Sequence, residues 1–165
     1  MCGIVGYVGS KEAVPILLRG LKRLEYRGYD SAGLALLNGS GVQVVKRQGK
    51  LSELERAVAE YSVAGSSGGS LTGTCGIAHT RWATHGAPNQ VNAHPHSSEN
   101  GDIALVHNGI FENAEGIRAQ LMEEGYSFTS ETDTEVVVHL IDHLWTDGTR
   151  MEDAVAAALH TLDGA

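Results

Sequence analysis

The first half of the chain carries short β-branched runs and one clear helical pattern. Residues 2–9 are short, β-branched and rich in glycine, which is typical of a buried strand whose backbone lies close to other atoms. From Glu12 to Glu25 the leucines and a valine fall within about one third of a helical wheel, so this segment is predicted to be an amphipathic helix. Two strand-like runs at 32–37 and 42–47 flank the sequence Asn-Gly-Ser-Gly, which predicts a hairpin.

The second half adds helices and a long segment without periodicity. Residues 81–100 follow neither a helical nor a strand pattern and hold tryptophan, threonine and histidine side chains, which is typical of a binding loop. Paired strands joined by a hairpin, with helices beside them, favour an α+β fold over repeating βαβ units. Strands are expected at 73–79 and 102–107, and helices from 52 to about 65 and near 113–124, 133–146 and 150–162. Capping boxes are predicted at Ser52/Glu55, Thr132/Glu135 and Thr149/Glu152.

Composition narrows the class of protein. The 165 residues suit one domain, and 42% apolar with 19% charged residues argues against a disordered or fibrous chain. The net charge of −8 disfavours nucleic acid and anionic membrane surfaces as partners. No apolar run reaches the roughly 18 residues of a membrane span and no signal peptide is evident, so a cytoplasmic location is expected.

Cysteine at position 2 is the most specific chemical feature. Removal of Met1 would leave a thiol and a free α-amine on one residue. The amine, with an ordinary pKa of about 7.7–8.0, can then act as the base for the thiol, directly or through a water. The competing interpretation is a buried structural cysteine.

The Asn108-Gly109 pair, Arg81 and Asp133 suit the same chemistry, and each also has an ordinary structural explanation. Asn108-Gly109 offers an amide donor and a backbone N–H for an oxyanion hole, although Asn-Gly is also a common turn. Arg81 has the planar fork that binds a carboxylate, or it is a solvated surface arginine. Asp133 is either a binding group or an acid favoured by the dipole at a helix start.

The histidines and the second cysteine raise the question of a metal or redox site. His139 and His143 lie four residues apart but lack the glutamate of a His-Glu-x-x-His motif, and their position off the apolar arc favours a solvated helix face. His94 and His96 are separated only by a proline, and Cys75 is more simply a small hydrophobic residue in a strand. No metal and no cofactor are therefore expected.

Taken together, these segments resemble the glutaminase domain of the glutamine–fructose-6-phosphate aminotransferases, which are class II glutamine amidotransferases with an N-terminal nucleophile (Ntn). The resemblance spans almost the whole chain. It is carried by Cys2-Gly3-Ile4-Val5-Gly6, Tyr26-Arg27-Gly28-Tyr29-Asp30-Ser31-Ala32-Gly33, His79-Thr80-Arg81-Trp82-Ala83-Thr84-His85-Gly86, Asn92-Ala93-His94-Pro95-His96, Val106-His107-Asn108-Gly109 and Ser130-Glu131-Thr132-Asp133-Thr134-Glu135.

The resemblance implies an α+β fold, a four-layer α-β-β-α sandwich of the Ntn-hydrolase type. It implies that Cys2 attacks the side-chain amide of L-glutamine, releasing ammonia and leaving a thioester that water hydrolyses to glutamate. Asn108 and the Gly109 amide would stabilise the oxyanion. Substrate binding would fall to Arg81 on the α-carboxylate, Asp133 on the α-ammonium, and Trp82, Thr84, His85 and Gly86 in a loop that closes over glutamine.

The family also sets expectations about the rest of the protein. Its glutaminase domain continues for several more strands before two sugar-isomerase domains, so 1–165 is expected to be a C-terminally incomplete glutaminase domain that lacks its last strands. In the full-length enzyme, expected to be a homo-oligomer, the ammonia would convert fructose 6-phosphate to glucosamine 6-phosphate in hexosamine biosynthesis. The alternatives are the glutaminase domain of another amidotransferase, such as one acting on phosphoribosyl pyrophosphate; a noncatalytic glutamine-binding module if Met1 is retained; and a redox or metal module built on Cys2, Cys75 and the histidines.

Overall fold

The structure is a computed structural model that describes residues 2–28, 30–39, 41–63, 71–82 and 87–164. Within these ranges the strands are β1 (Gly3–Val8), β2 (Ser31–Asn38), β3 (Gly41–Gln48), β4 (Cys75–Arg81), β5 (His96–Ser97) and β6 (Ala104–Leu105). The α-helices are α1 (Ala13–Leu24), α2 (Leu51–Val63), α3 (Ala114–Glu123), α4 (Asp133–Leu144) and α5 (Met151–Thr161), with a 3-10 turn at Glu25–Arg27.

The first layer is an antiparallel sheet with the strand order β1-β4-β2-β3. One face of β2 presents Leu34 and Leu36, which are fully buried together with Leu17 and Leu21 of α1 and Leu54 of α2. Burying each such leucine stabilises the fold by about 1.5–3 kcal/mol. The amphipathic stripe predicted for α1 is therefore the stripe that covers the sheet.

The second layer is a small sheet of β5 and β6 that packs against α4, with α3 and α5 beyond it. It has its own apolar core, which includes Val136, Val138 and Leu121. Gly33 of β2 lets the two layers approach closely, because the carbonyl oxygen of His94 occupies the space that a Cβ would take. In space the layers are helices α1 and α2, the four-stranded sheet, the small sheet, and helices α3 to α5. The predicted α+β sandwich is therefore confirmed.

The capping predictions have mixed outcomes. The Thr132 side chain accepts a hydrogen bond from Glu135 N, as predicted, but the Glu135 carboxylate bonds to Thr129 and Ser130. Burial raises the pKa of Glu135, yet these four hydrogen bonds outweigh burial and hold the pKa below its usual value. The capping boxes predicted at Ser52/Glu55 and Thr149/Glu152 are wrong.

Each wrong box has a local reason. Helix α2 begins at Leu51, so Ser52 lies inside the helix. Helix α5 has Arg150 as its N-cap without a side-chain cap, and Arg150 instead forms a bidentate pair with Asp153 at 2.9 and 3.0 Å. The strand predicted at 102–107 is reduced to two residues, and its partner at His96–Ser97 was not predicted.

His139 also corrects the sequence analysis. It is 3% exposed, whereas the helical pattern predicted a solvated face. Helix α4 packs against the small sheet and against α3 and α5, so nearly its whole circumference is covered between Thr134 and Ile141. His143, one turn later, is half-exposed and pairs with Glu124 at 3.1 Å. None of the described helices is long and apolar enough to cross a bilayer.

Candidate functional site

A cavity of about 530 Å³ opens where β1 begins and β4 ends. The antiparallel pairing of Gly3 with Thr80 places Cys2 beside the last residue of β4. The predicted site residues Cys2, Arg81, Trp82, Asn108, Gly109 and Asp133 all line this cavity. The predicted residues Thr84, His85 and Gly86 lie outside the described residues.

Cys2 is half-buried at the cavity wall, and its sulfur faces the backbone of Trp82. The Trp82 N–H donates to Cys2 Sγ over 3.3 Å, and the Trp82 carbonyl oxygen lies 3.7 Å from the same sulfur. The Trp82 side chain is 42% exposed and lines the cavity.

Asn108 is the second group beside Cys2. Its Nδ2 donates to the Cys2 carbonyl oxygen over 3.4 Å, and its Oδ1 lies 2.9 Å from Nε2 of His79. Gly109 follows on the same cavity wall. A side-chain amide and a backbone N–H next to a thiol are the donors that an oxyanion hole requires.

Arg81 is buried, with only 5% of its surface exposed. The alternative interpretation of Arg81 as a solvated surface residue is therefore wrong. Burial lowers its pKa, while Cys2, Asp30 and Asp133 raise it. Because a guanidinium is not deprotonated in proteins, Arg81 stays charged. One nitrogen, Nη1, donates to the Ala87 carbonyl over 3.3 Å. The site thus holds a desolvated cation, which is a strong attractor for a carboxylate.

Asp133 is the first residue of α4, and it also lines the cavity. Its Oδ2 accepts from the Phe111 N–H over 3.0 Å, and its Oδ1 accepts from Thr134 Oγ1 over 3.3 Å. The carboxylate therefore tethers the segment that carries Asn108 and remains able to accept a further donor from the cavity.

Sequence reasoning missed a pair that joins the loop to α4. Glu131 N donates to Asn92 Oδ1 over 3.0 Å, and Asn92 Nδ2 donates back to Glu131 Oε2 over 3.1 Å. Asn92 also donates to the Ala87 carbonyl, and Ala87 N donates to Glu131. Both residues lie in the matched blocks, but no local pattern shows that segments about 40 positions apart meet.

A stack of buried histidines lies behind the cavity. The rings of His79 and His94 are 4.3 Å apart and nearly parallel, and His96 meets His94 edge-on at 4.9 Å. Burial lowers the pKa of His79 to about 4 and that of His96 to about 3, so both rings are neutral at pH 7. Among the described residues, no group of three histidine, cysteine or acidic side chains could hold a metal ion.

These buried rings predict a loss of stability in acid. In the unfolded chain each ring binds a proton near pH 6.5, whereas in the folded chain it does so only near pH 4 for His79 and pH 3 for His96. The unfolded state therefore binds more protons between these values, and each ring lowers the free energy of unfolding by up to about 1.4 kcal/mol per pH unit as pH falls below 6.5. Urea unfolding at pH 7, 6 and 5 measures this slope.

A matched variant separates the histidines from other acid effects. His96→Gln is expected to flatten the dependence of the unfolding free energy on pH by about one ring's contribution. An unfolding free energy that stays level in wild type between pH 7 and 5 would contradict the assignment of neutral buried rings.

Solved structures share this fold. A B. subtilis glutamine phosphoribosylpyrophosphate amidotransferase in complex with ADP and GMP matches with a TM-score of 0.77 and 31% identity, over 100% of this chain and 34% of that one. A second structure, described as the allosteric regulatory enzyme of purine biosynthesis, matches with a TM-score of 0.81 and 32% identity over the same shares. The fold is thus the sandwich of the Ntn-type amidotransferases.

Sequence comparison gives the family. Residues 40–155 match the model of the glutamine amidotransferase domain, and the chain belongs to that family. It is 55% identical over 167 residues to a glutamine–fructose-6-phosphate aminotransferase (isomerizing) of Chlorobaculum tepidum, and 57% identical over 166 residues to that of Pseudomonas putida. Each match covers 100% of this chain and 26% of the relative, so the chain spans about a quarter of the length of these relatives.

Proposed function

We propose that this domain hydrolyses the side-chain amide of L-glutamine to glutamate and ammonia, with Cys2 as the nucleophile. The observation that carries the proposal is the meeting of the Cys2 thiol, the buried Arg81 cation and the Asp133 carboxylate around one cavity. Its volume of about 530 Å³ suits a small molecule. Membership of the glutamine amidotransferase family supports the same substrate.

The two charges select a free α-amino acid. Arg81 would hold the α-carboxylate and Asp133 the α-ammonium, which leaves the side chain of the substrate to extend toward Cys2. Trp82, exposed at the mouth, would cover the bound molecule together with Thr84, His85 and Gly86. Exclusion of water at this stage would protect the thioester until ammonia has left.

The chemistry follows from residue types at the site. Removal of Met1 would free the α-amine of Cys2, which takes the thiol proton as sulfur attacks the amide carbon. Asn108 Nδ2 and the Gly109 N–H would stabilise the negative oxygen of the tetrahedral intermediate. The proton then passes to the departing nitrogen, the C–N bond breaks and ammonia leaves. Water attacks the resulting thioester, and glutamate and the free thiol are restored.

The acceptor of the ammonia is proposed from the relatives. Those that are 50–57% identical are named glutamine–fructose-6-phosphate aminotransferases, whereas the phosphoribosylpyrophosphate enzyme is 31% identical. We therefore propose fructose 6-phosphate as the acceptor, bound by sugar-isomerase domains outside this glutaminase domain of residues 1–165. Homo-oligomeric assembly of the longer protein and a cytoplasmic location stay predictions from the sequence.

Asp133→Asn tests the proposed substrate recognition. The amide keeps an oxygen for the Phe111 N–H but cannot pair with an ammonium at full strength, which is worth about 1.5–3 kcal/mol. The KM for L-glutamine is expected to rise about 10-fold or more, with a smaller change in kcat. Steady-state glutamate release, measured with L-glutamine and with N-acetylglutamine, gives both constants.

N-acetylglutamine supplies the contrast, because it keeps the α-carboxylate but has no α-ammonium. Wild type is expected to discriminate strongly against N-acetylglutamine, and Asp133→Asn to discriminate less. The exposed change Asp147→Asn serves as a matched control that removes an acid away from the cavity. An unchanged KM for L-glutamine in Asp133→Asn would show that the residue acts only at the helix start, and absence of hydrolysis in wild type would reject the proposed function.

A further inference from the structure

We infer that His79 is a positioning residue for the reaction: its Nε2–H fixes the side-chain amide of Asn108 so that Nδ2 faces the reacting centre. The inference rests on the proposed function, in which Asn108 supplies an oxyanion donor. Nothing in the family resemblance assigned a role to His79. Its position in β4, on the strand that ends at Arg81, places it directly behind the cavity wall.

His79 is almost completely buried, which is unusual for a polar side chain. It is 1% exposed in the middle of the sheet, between Ile4 of β1 and Gly33 of β2 in the pairing register. A polar ring in such a place costs free energy unless a hydrogen bond compensates it, and an apolar side chain would pack there without that cost. Within the described part of the chain Nδ1 has no partner at hydrogen-bond distance. The side-chain contact that compensates burial is that of Nε2 with Asn108, beside a weaker interaction of the ring with the His107 backbone.

The partners of Asn108 determine which way its amide points. One end of the amide lies 3.4 Å from the Cys2 carbonyl oxygen, which can only accept, so that end must be the NH₂ group. The oxygen of the amide therefore faces His79 at 2.9 Å. An amide oxygen can only accept, so Nε2 of His79 must carry the proton. The orientation follows from the chemistry of the acceptors and needs no assumption about hydrogen positions.

The His79 ring is also held in place by stacking. His94 stacks on it with a centroid separation of 4.3 Å and an interplanar angle of 16°. His94 in turn accepts from the His107 N–H through Nδ1 over 3.4 Å, which ties the stack to the residue before Asn108. Burial keeps the His79 ring neutral at pH 7, so it has a single N–H, and that N–H is committed to Asn108.

Loss of this N–H would release the amide. Asn108 is exposed on its cavity side, so the protein contacts that orient its side chain are those to His79 and to the Cys2 carbonyl. Without the first, rotation of the amide would present oxygen to the developing oxyanion in part of the molecules. Catalysis would fall, whereas the groups that bind the α-carboxylate and α-ammonium would be unaffected.

Two substitutions separate the N–H from the ring. His79→Phe keeps an aromatic ring against His94 but has no donor, whereas His79→Gln places an amide N–H near the position of Nε2. In glutamine hydrolysis, His79→Phe is expected to lower kcat about 10-fold or more, because a full oxyanion donor is worth about 10²–10³. His79→Gln is expected to stay within about three-fold of wild type, and KM should change little in both.

A double-mutant cycle then tests whether His79 acts through Asn108. If it does, His79→Phe should lower kcat when Asn108 is present. The same substitution should have almost no further effect on kcat in a protein that already carries Asn108→Ala. Equal losses in both backgrounds would overturn the inference and assign His79 a purely structural role. Equal activity of the Phe and Gln variants would overturn it as well.

One measurement on the wild type needs no variant to fold. Nitrogen-15 NMR of the histidine rings is expected to show His79 as the neutral Nε2–H tautomer, and an Nδ1–H tautomer would overturn the inference. The proposed function fails separately, if wild type shows no glutamine hydrolysis, whereas normal hydrolysis in His79→Phe rejects only the role of His79.

Discussion

Replacement of Cys2 by alanine is expected to remove glutamine hydrolysis. The sulfur is the atom that forms the thioester, and no other described side chain of the cavity is a thiol. Loss of a nucleophile that acts together with its base costs at least about 10⁴-fold in kcat. Ammonia and glutamate release by purified wild type and variant measures the effect. Binding of L-glutamine is expected to survive, since Arg81 and Asp133 are unchanged.

The other cysteine provides the control. Cys75 begins β4 and pairs with Val8, whereas the cavity lies at the opposite end of the strand beside Arg81. Six residue steps at roughly 3.3 Å separate the two ends by about 20 Å. Cys75→Ala is therefore expected to keep near-normal hydrolysis. Activity that persists in Cys2→Ala would contradict the mechanism, and equal losses in the two variants would favour the two-cysteine redox alternative.

Asn108→Ala is expected to lower kcat by about 10²–10³ while KM for L-glutamine changes little. The side-chain donor beside Cys2 interacts with an oxygen that becomes negative only in the transition state, so its loss raises the barrier without weakening the ground-state complex. Steady-state kinetics at saturating and limiting glutamine separate the two constants.

Asn113 offers a matched asparagine outside the cavity. Its side chain donates to the Thr161 carbonyl and accepts from Asp163 N, which links α3 to the end of α5. Asn113→Ala is expected to lower thermal stability but to leave kcat close to wild type. A change in KM alone for Asn108→Ala would show that the residue binds the ground state and would remove it from the oxyanion hole.

The fold was predictable where one element carries its own pattern. The leucine stripe of α1 and the turn between β2 and β3 gave the correct elements within about one or two residues, because local periodicity and turn chemistry determine both. The pattern failed for α4, whose His139 is covered although it lies off the apolar arc, because neighbouring elements bury both sides of that helix. The strands β5 and β6 have two residues each, too short for any period-2 signal.

The residues of the site were likewise predictable only in part. Cys2, Arg81 and Asn108 could be proposed from residue type and motif, since a thiol, a guanidinium and an Asn-Gly pair each suggest a reaction step. The contact between His79 and Asn108, 29 positions apart, depends on sheet register and on the packing of two layers, and neither can be deduced from spacing. The same is true of the Asn92 and Glu131 pair, 39 positions apart.

A covalent glutamyl adduct on Cys2 tests the central claim most directly. Wild type mixed with L-glutamine, quenched in acid during turnover and digested, can be analysed by peptide mass spectrometry. We expect an N-terminal peptide that begins at Cys2, lacks Met1 and carries a glutamyl group in thioester linkage, with Cys75 unmodified. A peptide that retains Met1 during full activity, or an acyl group on Cys75 with Cys2 free, would contradict the role of Cys2 as an N-terminal nucleophile.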